Sequence, residues 1–514
     1  MVANINGNPR TNMAFAWFTN EGIMDGKVQI IAKANAVAAD FEGDNVLTLD
    51  AEATVTKDLR YAVSTSGLLK ATGMSNKTAF KYVSHKAMAT NLMPGTAYSW
   101  RVGYEGHWSP IGRFRTQNSA QGEYSFLYMT DSHIQDAEYV ENAKWCATAA
   151  ANTVPDARFC LFPGDFVETG TNANSEWEWE RWFEESIKPV IMKMPIVPTD
   201  GNHDDSENLN YDYHFNTPTD FAMSVPASYR PQFHGITYSF VYGDVLFLVY
   251  SLQDWWRSSE GESSMKSTYL SVDVKNWFKE QIALHPNTKY RVTLSHKNIF
   301  SGSGHSVDSE TPLFREIMLP ILKECEIDLA IQGHDHCYEV IGPVNPDTRT
   351  VVEGSVADTT HVVINTNTNM TGVEGGTYTT DDGTLYFIGA TCGRKRYYPY
   401  DREKMDANYD KHKVTNYFDL MTGMFGQPGA PSFTKFTVKS DCIELNSFTA
   451  NANGTANLIN TMQIKRTKPH TAISLGVDNI NTVMTEGEKF IRDGQILILK
   501  NGQVYNVLGQ KVEQ

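Results

Sequence analysis

From Glu123 onward, short apolar runs alternate with stretches whose apolar residues recur every three or four positions, and this alternation restricts the fold more than any other feature of the chain. The runs YSFLYMT (124–130), RFCLF (158–162), PIVPT (195–199), VLFLVYSL (245–252), YRVTLSH (290–296) and IDLAIQ (327–332) read as buried strands. Helical periodicity falls near 138–151, 174–188, 268–284 and 310–324. Strands that are apolar on both faces must be covered on both, so the pattern predicts a layered α/β domain with helices flanking the sheets. The segment 340–383, rich in Thr, Asn, Asp and Gly, reads as a long insertion, and short strands resume over 433–466.

The flanks read differently. Over 13–116, runs such as MAFAWF (13–18), VQIIA (28–32) and AYSWRVGY (97–104) are separated by Gly, Asn, Asp and Ser, which predicts a β-sandwich. Within it a Pro94-Gly95 turn precedes Tyr98, placed to hydrogen-bond back across a sandwich corner. After Lys468-Pro469, residues 490–512 alternate like strands, with Asp493-Gly494 and Asn501-Gly502 as hairpin turns, so a small β-meander closes the chain. The domains expected are 1–118, 119–467 and 468–514.

Composition removes several classes of partner. With 60 acidic and 44 basic residues in 514, the net charge of −16 leaves no extended basic track for a nucleic-acid polymer. The longest uninterrupted apolar run, Val245 to Tyr250, falls far short of the roughly 18 residues that cross a bilayer. The opening MVANINGNPR lacks the basic-then-apolar order of a signal peptide. The six cysteines form no C-x-x-C pair and are too sparse for a disulfide scaffold, which leaves the redox compartment open.

Ligands of α/β sheets collect beyond the carboxyl ends of the strands, and there this chain concentrates Asp, His and Asn. Strand 124–130 is followed by Asp131-Ser132-His133, strand 158–162 by Gly164-Asp165, and strand 195–199 by Gly201-Asn202-His203-Asp204. Strand 290–296 ends in His296, and 327–332 is followed by Gly333-His334-Asp335-His336. A lone Asp after a strand is an ordinary helix cap, and a lone His an ordinary hydrogen-bonded residue. Five strand ends equipped in this way predict a binuclear metal site.

The ordered set D-x-H, G-D, G-N-H-D, H and G-H-x-H, spanning about 123–450, resembles the calcineurin-like metallophosphoesterase superfamily. The N-terminal segment resembles a fibronectin type III domain, in particular the one that precedes the catalytic domain of purple acid phosphatases. Together these resemblances imply a metallophosphoesterase β-sandwich flanked by helices, behind an all-β fibronectin type III-like sandwich. They imply that Asp131, His133 and His336 hold one metal, that Asn202, His296 and His334 hold the other, and that Asp165 bridges the two. Oxygen and imidazole ligands without thiolate suit two transition-metal ions drawn from Fe, Mn or Zn, and Cys337 is assigned to packing. Two cations about 3.5–4 Å apart yield a bridging hydroxide at neutral pH and hold phosphoryl oxygens for in-line attack. His203 then stabilises developing charge or protonates the leaving alkoxide, with Asp204 fixing its ring. His305 occupies roughly the place of a substrate-contacting His of purple acid phosphatases, or is an exposed loop histidine. Two positions depart from that family, which has Gly where His133 stands and Tyr where Glu168 stands. Because a phenolate on ferric iron gives the purple colour, the second departure implies a colourless enzyme.

The implied activity is hydrolysis of phosphate monoesters, with small phosphorylated substrates as partners. A phosphodiesterase or nucleotide pyrophosphatase on the same centre is the enzymatic alternative, and a non-catalytic surface binding protein is the alternative of another class. Global acidity does not oppose the substrate, because two divalent cations against Asp131, Asp165 and a hydroxide leave the site at about +1. The C-terminal repeat resembles sorting tails of secreted and surface-displayed Gram-negative bacterial proteins, implying a secreted, periplasmic or cell-surface location; otherwise it is a terminal hairpin packed on the main domain. Trp255-Trp256-Arg257 reads as a substrate rim or as surface packing, and Arg394-Lys395-Arg396-Tyr397 as a phosphate attractor or a solvated run. Trp177, Trp179 and Trp182 read as core or interdomain packing.

Overall fold

The computed structural model describes the chain apart from residues 60–79, 119–121, 169–175, 205–209, 222–233, 253–268, 309, 346–349, 352–362, 366–372, 413–422, 474–487, 493–494, 501–502, 507–510 and 513–514. Two large sheets face one another. At the centre of the first, Tyr124–Tyr128, Cys160–Pro163 and Ile196–Thr199 run parallel. Ser432–Val438, Ile443–Ala450 and Ala456–Lys465 extend it antiparallel from Tyr124–Tyr128. The second sheet has a parallel core of Val245–Val249, Tyr290–Leu294, Leu329–Ile331 and Thr384–Gly389. Their inner faces are aromatic: Phe436, Phe126 and Phe159 stack in a row, with centroids 4.9 and 5.0 Å apart. From the second sheet, Phe247 meets Phe126 edge-on at 5.5 Å and Phe387 meets Phe436 edge-on at 5.5 Å. Edge-to-face contact suits the ring quadrupoles and fixes the separation of the sheets.

Helices cover the outer faces. Asp136 caps the helix Ala137–Thr153 by accepting the N–H groups of Glu138 and Tyr139. That helix buries Ala143, Cys146, Ala147 and Ala150, a small-residue face that allows close approach. Trp179 and Trp182 pack around Phe166, with centroids at 5.4 and 5.0 Å, and Trp177 is buried, as the packing reading requires. Lys275–Leu284 and Glu310–Glu324 lie in the same apolar cluster through Phe278 and Phe314.

The N-terminal all-β region closes its own core around Phe15, which sits 5.0 Å from Trp100 and 5.9 Å from Phe114. Its corner tyrosine works as read: Met93 N–H donates to Tyr98 Oη at 2.8 Å. This region is nevertheless continuous with the rest. Val2–Asn4 pairs in parallel with the strand Ile196–Thr199 and antiparallel with Met13–Asn20, so one eleven-stranded sheet runs through both regions.

One expectation is corrected. The segment 340–383 is not simply an insertion, because Tyr338–Asn345 is a buried strand between Thr384–Gly389 and Gly423–Gly426. Its register shifts between Ile341 and Val344, where Gly342 and Pro343 fall, and the irregularity lets the sheet accept a residue with no N–H to offer. Val373–Thr379 forms the far edge of the first sheet, beside Ala456–Lys465.

Near the C-terminus, Glu488–Arg492, Gln495–Lys500, Gln503–Asn506 and Lys511–Val512 form a separate antiparallel sheet. The turn residues Asp493-Gly494 and Asn501-Gly502, and Trp255-Trp256-Arg257, lie outside the described residues. All six cysteines are buried free thiols. Among the described residues no helix is long and apolar enough to cross a membrane.

Candidate metal centre

The carboxyl ends of the parallel strands of both sheets meet at one rim, and the turns there adopt an unusual backbone conformation. Asp131, His133, Asp165, His334 and His336 all have positive φ, between 46° and 74°. For residues with a Cβ this conformation costs on the order of 1–3 kcal/mol each and concentrates at functional sites. The turns also press together. A Cβ added to Gly201 falls 2.1 Å from Asp165 N and 2.2 Å from its Oδ1, so the 164–165 and 201–203 turns meet at a point where only glycine fits.

Two groups of donors result, and they share Asp165. In the first, His336 Nε2 lies 3.0 Å from Asp131 Oδ1 and 2.9 Å from His133 Nε2, while His133 Nε2 lies 3.1 Å from Asp165 Oδ2. The second group brings His296 Nε2 to 3.2 Å from Asp165 Oδ2 and 3.1 Å from Asn202 Oδ1, with His334 in the same cluster. All seven expected ligands are therefore brought together. Asp165 Oδ2 has no hydrogen-bond partner although it is fully enclosed, and the facing imidazoles leave it between the two groups. An orphaned buried carboxylate oxygen surrounded by nitrogen and oxygen donors, with no thiolate, fits a pair of Fe, Mn or Zn ions.

Outer partners set the tautomers. His296 Nδ1–H donates to Pro163 O at 2.6 Å and His133 Nδ1 meets Glu168 Oε2 at 2.6 Å, which leaves each Nε2 lone pair for a cation. Asp131 Oδ2 accepts from Thr130 Oγ1 and His334 N–H, and Asp165 Oδ1 accepts from His203 N–H at 2.9 Å. Burial opposes charge throughout, but the carboxylates of Asp165 and Asp131 overcome it at His296 and push its pKa up to about 9. At His336 burial prevails over the upward pull of Asp131 and lowers the pKa to about 4. Burial also resists ionisation of Asp131, yet His336 and His133 hold its carboxyl well below the usual range.

The residues expected in catalytic roles separate. His203 Nδ1 lies 2.6 Å from Glu168 O, so the proton sits on Nδ1 and the lone pair on Nε2, and its ring abuts that of His133 at 4.6 Å. His305 is brought to the site, 4.1 Å centroid to centroid from His334, with Nδ1 on Asp308 Oδ2. Asp204 is a correction, because it does not hold the His203 ring. Its Oδ2 accepts the N–H groups of Asp165 at 2.8 Å and Gly201 at 2.7 Å, and its Oδ1 accepts that of Phe166 at 3.0 Å. A short buried carboxylate three residues after Gly201 satisfies backbone donors before it reaches an imidazole, so Asp204 ties the two turns together. Cys337 Sγ meets Glu339 Oε1 at 3.0 Å, within a separate buried Asp335, Cys337 and Glu339 cluster.

Three neighbours join the expected site residues, and two of them, Lys395 and Tyr397, come from the run read as a phosphate attractor or a solvated run. Glu168, noted for the missing tyrosine, orients His133. Tyr397 stacks flat on His336, 4.5 Å between centroids and 8° between planes, and Lys395 Nζ lies 3.6 Å from Glu168 Oε2. Their two-residue spacing after a strand that ends near the rim was the available signal.

This architecture has known counterparts. Residues 124–338 match the calcineurin-like phosphoesterase family, and residues 1–116 match the purple acid phosphatase N-terminal domain. The chain thus carries a calcineurin-like phosphoesterase domain behind a purple acid phosphatase N-terminal domain. It is similar to the structure of purple acid phosphatase PPD1 from yellow lupin seeds, with a TM-score of 0.60 and 16% identity over 94% of this chain and 77% of that one. It is likewise similar in fold to PhoD, with a TM-score of 0.53 and 11% identity over 100% and 91%. An uncharacterised protein of Mycobacterium tuberculosis is 25% identical over 55% of this chain, and the chain spans 57% of that relative's length. A probable inactive purple acid phosphatase of Arabidopsis thaliana is 23% identical over 51% of this chain and 44% of its own.

Proposed function

We propose that the chain is a binuclear-metal-dependent phosphohydrolase, acid-phosphatase-like in type, that cleaves phosphate monoesters. The observation that carries this reading is the buried Asp165 carboxylate, whose unpartnered Oδ2 lies 3.1 Å from His133 Nε2 and 3.2 Å from His296 Nε2, at the junction of two donor groups. In the assignment, Asp131, His133 and His336 hold one cation, Asn202, His296 and His334 hold the other, and Asp165 joins them. When bound, the two cations supply the charge that draws phosphoryl oxygens and lower the pKa of water between them.

The chain's own residues do the rest. His203 keeps its Nδ1 proton on the Glu168 carbonyl, takes up a second proton at Nε2 from solvent through its partly exposed ring, and passes that Nε2 proton to the leaving oxygen, returning to the neutral Nδ1–H tautomer. His305, steadied by Asp308, contacts the phosphoryl group beside His334. Glu168 keeps His133 in the metal-binding tautomer and supplies no phenolate, so an iron-loaded sample lacks a purple band. The N-terminal region, fibronectin type III-like in this reading, buttresses the catalytic domain, and the C-terminal strands direct export to the periplasm or cell surface.

The test is reconstitution of chelator-stripped protein with Fe, Mn or Zn, followed by assay on p-nitrophenyl phosphate and bis-p-nitrophenyl phosphate. Two ions per chain and a preference for the monoester are expected. Preference for the diester overturns the monoesterase assignment, and a chain that takes up no metal and turns over neither ester favours a binding protein instead.

A further inference from the structure

The run Arg394-Lys395-Arg396-Tyr397 divides by parity. Arg394 Nε bonds Glu138 Oε1 at 2.6 Å and its guanidinium lies 5.7 Å from the centroid of Tyr139, away from the metal donors. Arg396 Nη1 donates to the carbonyl of Arg394 at 2.8 Å. The alternate residues face the centre: Tyr397 covers His336, and Lys395 approaches Glu168 close enough to feel the charges of Asp165 and Asp131 as well. One cation of the three is therefore delivered to the mouth of the site, with 25% of its side chain exposed.

Lys395 is not consumed by Glu168. The 3.6 Å separation exceeds hydrogen-bond range, and Glu168 Oε2 is already bonded to His133 at 2.6 Å. An ammonium group carries three donors and a compact charge, the usual equipment for gripping a phosphate oxygen. Charge accounting points the same way. Glu168 contributes −1 where it stands beside His133, and Lys395 returns +1, so the site remains at about +1 with both cations and a hydroxide in place. Without Lys395 it falls to about zero.

We propose that Lys395 is a substrate-binding residue that grips a peripheral oxygen of a dianionic phosphate group and thereby selects monoesters over diesters. A dianion gains twice the Coulomb attraction of a monoanion at the same distance. A diester also replaces one charged peripheral oxygen with a neutral ester group, removing a partner the lysine can hold. The proposal rests on the phosphohydrolase reading above and adds the residue that sets its substrate class.

The experiment uses the full-length, metal-loaded chain with Lys395→Met and Lys395→Arg, assayed on p-nitrophenyl phosphate and bis-p-nitrophenyl phosphate, with metal content and inorganic phosphate binding by calorimetry. For Lys395→Met, kcat/KM on the monoester should fall about 30-fold and phosphate affinity about tenfold, the diester should lose less than about threefold, and metal content should be unchanged. Lys395→Arg should restore most of the monoester preference. An unchanged ratio of the two esters with unchanged phosphate affinity overturns the proposal, and so does metal loss in Lys395→Met, which would place the lysine behind Glu168 and His133. If the wild-type chain turns over neither ester, the phosphohydrolase reading fails, while phosphate calorimetry still decides Lys395: equal affinity in wild type and Lys395→Met refutes it.

Discussion

Asp165 takes part in both donor groups, and its loss differs in kind from the loss of any residue that touches one. If Asp165 joins two cations as proposed, Asp165→Asn replaces its charged oxygen by a neutral amide, so both cations should be lost and turnover abolished. His203 stands outside both donor groups that share Asp165, so in the proposed role His203→Ala removes the proton donor, and turnover should fall about 100- to 1,000-fold with metal retained. Metal analysis of the two purified variants checks this, and equal metal loss in both refutes the roles. Asp204→Ala belongs with Asp165 rather than with His203. It strips the acceptor from four backbone N–H groups, those of Asp165, Phe166, Val167 and Gly201. It should lower unfolding free energy by about 3 kcal/mol and weaken metal uptake, measured by denaturant titration and metal competition. The ligands themselves were legible because they fall at five strand ends, four of which carry a Gly-containing or short D-x-H pattern. Asp204 and Glu168 were not read in the roles they take, because their partners lie about 35 to 39 positions away and no local pattern names them, while Lys395 was read only within a run that attracts phosphate or is solvated.

At the scale of elements, the centre exists because strand-end turns from different strands touch. The turn after Cys160–Pro163 and the turn after Ile196–Thr199 meet at Gly164 and Gly201, where a Cβ on Gly164 falls 2.5 Å from Gly201 N. Gly201→Ala changes no ligand, yet it forces the 201–203 turn off Asp165. It should cost at least about 100-fold in turnover, with reduced metal occupancy, as expected when geometry shifts by about 1 Å. Wild-type turnover at full metal occupancy in this variant would show that the turns are free to separate. Apolar strands and the helices between them were legible from period alone, since both faces of each strand are buried. Tyr338–Asn345 escaped because Gly342-Pro343 reads as a break, and the compensating register shift is set by Thr384–Gly389, a strand some forty residues later.

The sheet that holds Asp131, Asp165 and Asn202 at its strand ends is also the sheet that the first residues of the chain complete, so the two regions share more than a boundary. Val2–Asn4 covers the edge of Ile196–Thr199, the strand that leads into Gly201-Asn202-His203. Asn4 welds the joint, with Nδ2 donating to Ile196 O at 3.0 Å and Oδ1 accepting from Asn216 N–H at 3.0 Å. Further ties follow where Ser84 Oγ donates to Tyr213 O at 2.8 Å and Lys86 Nζ to Asp212 Oδ1 at 2.9 Å. A pairing between residue 4 and residue 196 leaves no trace in local periodicity, which is why the sequence reads as an independent sandwich ahead of an α/β domain. A shared sheet predicts a shared fate on heating. Scanning calorimetry should show the N-terminal and catalytic regions melting in one transition, and Asn4→Ala, which leaves a buried carbonyl and a backbone N–H unpaired, should lower that transition as a whole at a cost of about 2–3 kcal/mol. Because the freed edge carries Asn202 at its end, the same variant should need more metal to reach half-maximal activity. Two resolved transitions, with only the lower one moving in Asn4→Ala and metal affinity unaltered, would show that the N-terminal region is an appendage and that the metal centre is held without it.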